Sequence, residues 1–160
     1  MATVFSQSWG VIGSTITCSF ANIANGAIQQ STEVDNSVLR FLDAHVLVTC
    51  MTTGLAVSST GTLEVYGYGQ VGDAKPWRTD TAGAADAAIT NLPNARLLGV
   101  MQANSGLTIY AGGPFSVANA FGGILPFKWG VLIANRTGAN THGSGGVNNL
   151  FYSGYYETGT

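Results

Sequence analysis

The sequence predicts an antiparallel β-sandwich, and three observations predict it. Apolar and polar residues alternate with a period of two in at least three separate segments, while no apolar stripe at helical spacing is sustained. Gly, Asn, Ser and Thr cluster between those segments as turn chemistry. One further stretch, Trp129-Gly130-Val131-Leu132-Ile133-Ala134, is apolar on both alternating sets. That pattern fits a central strand of a packed sandwich, or a strand covered by another subunit. With 160 residues, 46% of them hydrophobic, the chain can bury a proper core as a single domain over 1–160, without metals or staples.

Taken in order, the segment Met1 to Gly10 is polar with Val4, Phe5 and Trp9 as apolar anchors. It reads as an N-terminal arm over 1–10 laid across a neighbour, or as a frayed terminus. The first strand is expected from Thr15, where Ile16, Cys18 and Phe20 alternate with Thr15, Thr17 and Ser19. A second sets Leu42, Ala44, Val46, Val48 and Cys50 against Asp43, His45, Leu47 and Thr49, and a third sets Leu63 and Val65 against Thr62, Glu64, Tyr66 and Tyr68. Further strands are expected at Arg96 to Gln102, Leu107 to Ala111, Lys128 to Asn135 and Leu150 to Glu157. The Ala-rich piece Thr81 to Asn91 reads as a loop with one helical turn, ended by Pro93, and Val117 to Phe121 as another short helical turn. Thr137 to Asn149 reads as a flexible surface loop.

Charge narrows the function classes. Only 9% of residues are Asp, Glu, Lys or Arg, against roughly a quarter in an ordinary soluble domain, and the net charge is −2. The six basic residues are scattered, so a nucleic acid partner, which needs clustered Lys and Arg to neutralise phosphates, is disfavoured. The most apolar stretch, Gly122 to Ala134, is interrupted by Pro126 and Lys128 and is too short for a membrane span. The start has no positively charged region leading into an apolar run, so the expectation is folding in a cytoplasm, with Cys18 and Cys50 as buried free thiols.

No reaction has a visible seat. Gly67-Tyr68-Gly69-Gln70-Val71-Gly72 matches the dinucleotide fingerprint, but Asp73-Ala74-Lys75-Pro76 follows where a helix must open, so the glycines read as a strand end and loop and no cofactor is expected. Asp43 and His45 share a strand face, as polar residues on any wet face do, and His142 sits in the Gly-rich loop. Neither a G-x-S-x-G elbow nor an acidic cluster with metal-ligand spacing is present, so no catalytic and no metal residue is assigned. Asn135-Arg136-Thr137, formally a glycosylation sequon, reads as the polar turn after a strand.

Aromatic residues carry the remaining signal. Tyr66 and Tyr68 are placed on the outward face of one strand, and Phe151, Tyr152, Tyr155 and Tyr156 crowd the C-terminal segment. Such residues pack a sandwich core, fill a subunit interface or stack on sugar rings. The scarcity of acids to flank a sugar favours the interface over the glycan.

The stretch Gly112-Gly113-Pro114-Phe115 through Val117-Ala118-Asn119-Ala120-Phe121-Gly122-Gly123 to Leu125-Pro126-Phe127-Lys128-Trp129-Gly130 resembles one in small virion structural proteins of tailed bacteriophages. Phe41-Leu42-Asp43-Ala44 leading into a Val-rich strand is similar, more weakly. The resemblance implies a β-sandwich of jelly-roll type on the phage particle, with Gly and Pro in tight turns and Phe115, Phe121 and Trp129 in the core. The expectation is a non-enzymatic capsid decoration or cement protein, a homotrimer that binds neighbouring major capsid proteins in the virion. Its interface residues would be Val4, Phe5, Trp9, Tyr66, Tyr68, Leu132, Tyr152, Tyr155 and Tyr156. The alternative is a tail-tip or fibre-associated module that binds a receptor glycan through Tyr66, Tyr68 and the C-terminal tyrosines.

Overall fold

Two antiparallel sheets pack face to face in the computed structural model, which describes residues 5–54, 56–70, 76–77, 85–92, 95–144 and 146–159. The elements are β1 (Phe5–Thr15), β2 (Ile28–Gln30), β3 (Val34–Asp35), α1 (Asn36–Leu39), β4 (Asp43–Met51), β5 (Thr62–Gln70), β6 (Pro76–Trp77), β7 (Ala87–Ile89), β8 (Arg96–Gln102), β9 (Ile109–Ser116), α2 (Val117–Ala120), β10 (Lys128–Arg136) and β11 (Asn149–Gly159). Sheet A has the order β1-β11-β4-β9. Sheet B has the order β6-β5-β10-β2-β7, with β3 also on β10 and β8 also on β5. One set of pairings nests, β5 with β8 inside β4 with β9 inside β3 and β2 with β10 inside β1 with β11, while β5 with β10 and β4 with β11 join these pairs within each sheet. The antiparallel β-sandwich expected from the alternation is the fold of the chain.

Period two produced this core directly. Ala44, Val46, Val48 and Cys50 of β4 point inward and are fully buried, as are Leu63 and Val65 of β5. They meet Trp129, Val131 and Ile133 of β10 and Leu150 and Tyr152 of β11, with the Trp129 and Tyr152 rings edge to face at 5.3 Å. Fully burying one such aliphatic side chain stabilises by roughly 1.5–3 kcal/mol. The expected strands at 96–102, 128–135 and 150–157 and the short helix before Gly122 are present at nearly the expected bounds.

Several expectations are corrected. Residues 5–10 are no arm: they open β1, which pairs with β11 from Phe5↔Gly159 to Thr15↔Phe151. Val4 lies outside the described residues. From Ile16 the chain leaves the ladder, so Ile16 to Phe20 alternates in burial without being a strand, and Ile16 and Phe20 belong to the core. Leu42 precedes β4 and is exposed. Within Thr81 to Asn91 the described residues, 85–91, hold the short strand β7 on β2 and no helical turn, and residues 81–84 lie outside the described set. Gly112, Gly113 and Pro114 lie within β9, which runs to Ser116, so they form no turn.

The stretch Thr137 to Asn149 is likewise no loose loop. Thr137, Ala139, Thr141 and Asn148 are buried. Asn135 anchors it: its amide donates to the Ile23 and Ala139 carbonyls at 2.8 Å each, and its Oδ1 accepts from Thr137 N and Oγ1. The Thr141 hydroxyl donates to Phe20 O and accepts from Ile23 N. Burial of these polar groups is tolerated because each of them has a partner. The sequon asparagine is thus wholly enclosed.

Both cysteines are free; Cys50 is buried as expected, whereas Cys18 is only half-buried at the edge of the core. Burial pushes the Cys50 thiol from its ordinary value near 9.0 up to about 12. Burial, and then the negative charge of Asp86, push Cys18 well upward as well. Native protein at pH 8 should therefore react with a thiol reagent far more slowly than unfolded protein, which should yield two groups; two fast groups in the native state would contradict the assignment. The same shifts fix a pH dependence. The unfolded chain ionises Cys50 above about pH 9 while the folded chain holds the proton, so stability is full below that pH and declines towards about 12. Each such group costs about 1.4 kcal/mol per pH unit within the window. Urea titrations at pH 8 and pH 10.5 should resolve the loss, and a Cys50→Ala variant should show less of it.

Candidate functional site

The two outer faces of the sandwich differ. On sheet B, Tyr68, Leu132 and Ala134 point away from the main core, yet form a second buried cluster with Ile28 and Ile89, packed by Tyr66, Leu92 and Ala95. The chain covers this face itself. Tyr68 lies across Gly130, its registered partner on β10, and its hydroxyl donates to Ser31 O at 2.7 Å. Tyr66, half-buried, donates its hydroxyl to Glu64, which also meets Arg136 at 3.6 Å. Burial, then the Glu64 hydrogen bond and charge, raise the Tyr66 phenol above its ordinary value.

On sheet A the outward set comprises Asp43, His45 and Leu47 of β4, Phe151, Ser153 and Tyr155 of β11, Trp9 and Ile12 of β1, and Pro114 of β9. Trp9, Ile12 and Leu47 are exposed. The Trp9 ring stands edge-on to His45 at 5.3 Å and tilted to Tyr155 at 6.2 Å. Trp9, Ile12, His45, Leu47, Pro114 and Ser153 line a trough of about 470 Å³. Among the described residues no segment packs on it in the way that Leu92 and Ala95 pack against the buried cluster of sheet B.

Asp43, His45 and Ser116 come together beside this trough and invite a catalytic reading. Their wiring argues otherwise. Ser116 Oγ donates its single proton to Asp43 Oδ2 at 2.7 Å and accepts from Asn119 N at 3.0 Å, as the N-cap of α2. His45 Nε2 lies 3.2 Å from the same Asp43 oxygen, and Asp43 Oδ1 accepts from Ala118 N at 2.8 Å. A nucleophilic serine hands its proton to the base, with the carboxylate behind the base. Here serine and histidine both end on the carboxylate, so the cluster pins α2 to β4. Among the described residues no group of three or more His, Cys, Asp or Glu could hold a metal, and no helix is long and apolar enough to cross a membrane.

The expected interface residues separate accordingly. Tyr68 and Leu132 are corrected, being fully enclosed by the chain's own cover over sheet B, and so is Tyr152, buried against Trp129. Tyr156 packs under Phe41 at the edge of the core, with ring centroids 6.5 Å apart. Phe5 is placed by its backbone pairing to Gly159. Trp9 and Tyr155 meet on the open face. Ile12, Leu47 and Pro114 were missed, although Leu47 carried a signal as the one aliphatic residue in an otherwise polar alternate set. No family model, curated protein or solved structure matches the chain.

Proposed function

We propose that the chain is a non-enzymatic structural subunit of a tailed-bacteriophage virion, a capsid decoration protein that binds neighbouring major capsid proteins as a homotrimer. The observation that carries this reading is the uncovered apolar face of sheet A, set against a sheet B face that the chain covers for itself. Contiguous exposed apolar surface marks interaction sites, and low charge suits them because desolvating ions at an interface returns little unless they are paired. The nested strand pairing supports the jelly-roll architecture that the resemblance implies. Assembled on the particle, the protein would be made in the host cytoplasm.

Cosedimentation with purified expanded capsids tests the reading. Wild-type protein should saturate a fixed number of sites, and Trp9→Ala, which removes a half-exposed aromatic anchor, should weaken binding by tenfold or more, the scale of a hot-spot residue. Failure of the wild type to bind capsids, together with retention on a glycan array that Trp9→Ala abolishes, would move the assignment to a tail-associated glycan module. That second reading draws on the same Trp9 and Tyr155 rings.

A further inference from the structure

We propose that the cavity beside α2 receives an arginine side chain of the partner protein, with the guanidinium set against Asp43 and Tyr155. This deepens the capsid-binding reading above and rests on it. The cavity holds about 520 Å³, and its walls include Phe41, Leu42, Asp43, Ile124, Leu125 and Tyr155. It adjoins the trough on sheet A: Asp43 and His45 lie 3.2 Å apart, and the Tyr155 ring lies 6.2 Å from that of Trp9. Leu42 and Ile124 are exposed in it, while Phe41 and Leu125 are buried.

Charge and hydrogen bonding select the occupant. Among the described residues Asp43 is the one charged group in the cavity wall, and no Lys or Arg pairs with it. A carboxylate without a permanent cation beside it calls for a basic group in the partner, since a charge enclosed at an interface offsets its desolvation only when it is paired. The walls then separate arginine from lysine. Both Asp43 oxygens are already engaged: Oδ1 accepts from Ala44 N at 2.7 Å and Ala118 N at 2.8 Å, and Oδ2 accepts from Ser116 Oγ at 2.7 Å beside His45. The cavity therefore offers the charge of Asp43 more than a vacant lone pair. A lysine ammonium, compact and strongly hydrated, needs acceptors to replace its water. A guanidinium is more weakly hydrated and stacks on aromatic rings, for which Tyr155 stands in the wall, while Leu42 and Ile124 take its aliphatic stem.

Titrating the whole protein with n-propylguanidinium, an arginine side chain without its backbone, should give saturable amide NMR shifts over residues 118–123 in the millimolar range. n-Butylammonium should bind severalfold more weakly, and the uncharged n-propylurea roughly tenfold more weakly. Asn119 lines the cavity and is exposed, so changing it leaves the Asp43 hydrogen bonds in place. Asn119→Lys, which sets a competing cation in the cavity, should abolish the guanidinium shifts and lower capsid affinity roughly tenfold, whereas Asn119→Asp should tighten both severalfold. Circular dichroism verifies that both variants are folded, and the probe series on wild type decides the matter even if one is not. Propylurea binding as well as propylguanidinium, a lack of saturable shifts at the cavity, or capsid affinity unchanged by Asn119→Lys overturns the inference, and butylammonium binding equally well overturns the choice of arginine. Guanidinium binding by a protein that ignores capsids supports the chemistry of the cavity and ends the capsid reading alone.

Discussion

Replacing Leu132 with Glu is expected to leave the protein unfolded or close to it at neutral pH. Leu132 is fully buried in a cluster with Ile28, Tyr68 and Ile89, whose described members are all uncharged and offer the new carboxylate no ion to pair with. An unpaired buried ion costs several kcal/mol even after the group has shifted its pKa, and a domain of this size has a total stability of about 5–15 kcal/mol. The carboxyl would be held above its ordinary range by burial, so the variant should regain part of its stability as pH falls towards 4 and the charge disappears. Leu132→Met, which keeps volume and polarity, should lose less than about 1.5 kcal/mol. Urea unfolding of the three proteins decides the matter. A Glu variant within about 1 kcal/mol of wild type would mean that water reaches this face of sheet B and that the chain does not cover it.

The second large effect concerns Gly130. A Cβ at this position would overlap the Tyr68 ring, whose hydroxyl is fixed on Ser31 O. Alanine normally improves a strand interior over glycine by roughly 0.5–1 kcal/mol. Here Gly130→Ala should instead destabilise by about 2–4 kcal/mol, from forced repacking and from a buried hydroxyl pulled off its acceptor. The proof lies in coupling: in a Tyr68→Ala background the same substitution should cost far less. A neutral Gly130→Ala in the wild-type background, or additive effects of the two changes, would show that the ring does not rest on this glycine.

Most of the sandwich was legible because burial on one side of a strand writes itself as alternation, as at Ala44, Val46, Val48 and Cys50. β1 was not, because its register shifts between Trp9 and Val11 and again between Val11 and Ser14, which destroys the period while keeping the ladder. Parity assigned Tyr68 correctly to the outward face of its strand, and yet Tyr68 and Leu132 were misplaced as interface residues. What they pack with on that face includes Ile28 and Ile89 of the neighbouring strands β2 and β7, distant in sequence, and no local pattern announces such neighbours. The 137–149 segment failed for a related reason: polar composition reads as surface unless the partners are known, and the partners of Asn135 and Thr141 include Ile23 and Phe20. The open trough was half legible, through Trp9 and Leu47, but only register brings β1, β11, β4 and β9 side by side.

The nesting of the strand pairs also imposes a sequence of events in time. β5 and β8 join residues as near in the chain as Gly67 and Arg96, whereas β1 and β11 join Phe5 to Gly159. The entropy lost in closing a loop grows with its length, so each inner pair that forms shortens the gap the next must bridge. The topology therefore predicts that folding spreads from the middle of the chain outwards, an order that residue-by-residue mutational folding kinetics would check. β11 has a special place in that order, since it alone connects β1 to β4 in sheet A. On the ribosome the Trp129 layer is synthesised before the strand that shields it, and for that interval an apolar sheet stands open. A chain stopped short of Asn149 should aggregate rather than wait, and a slowly translated stretch ahead of β11 would lengthen the hazard without altering a single residue of the finished fold.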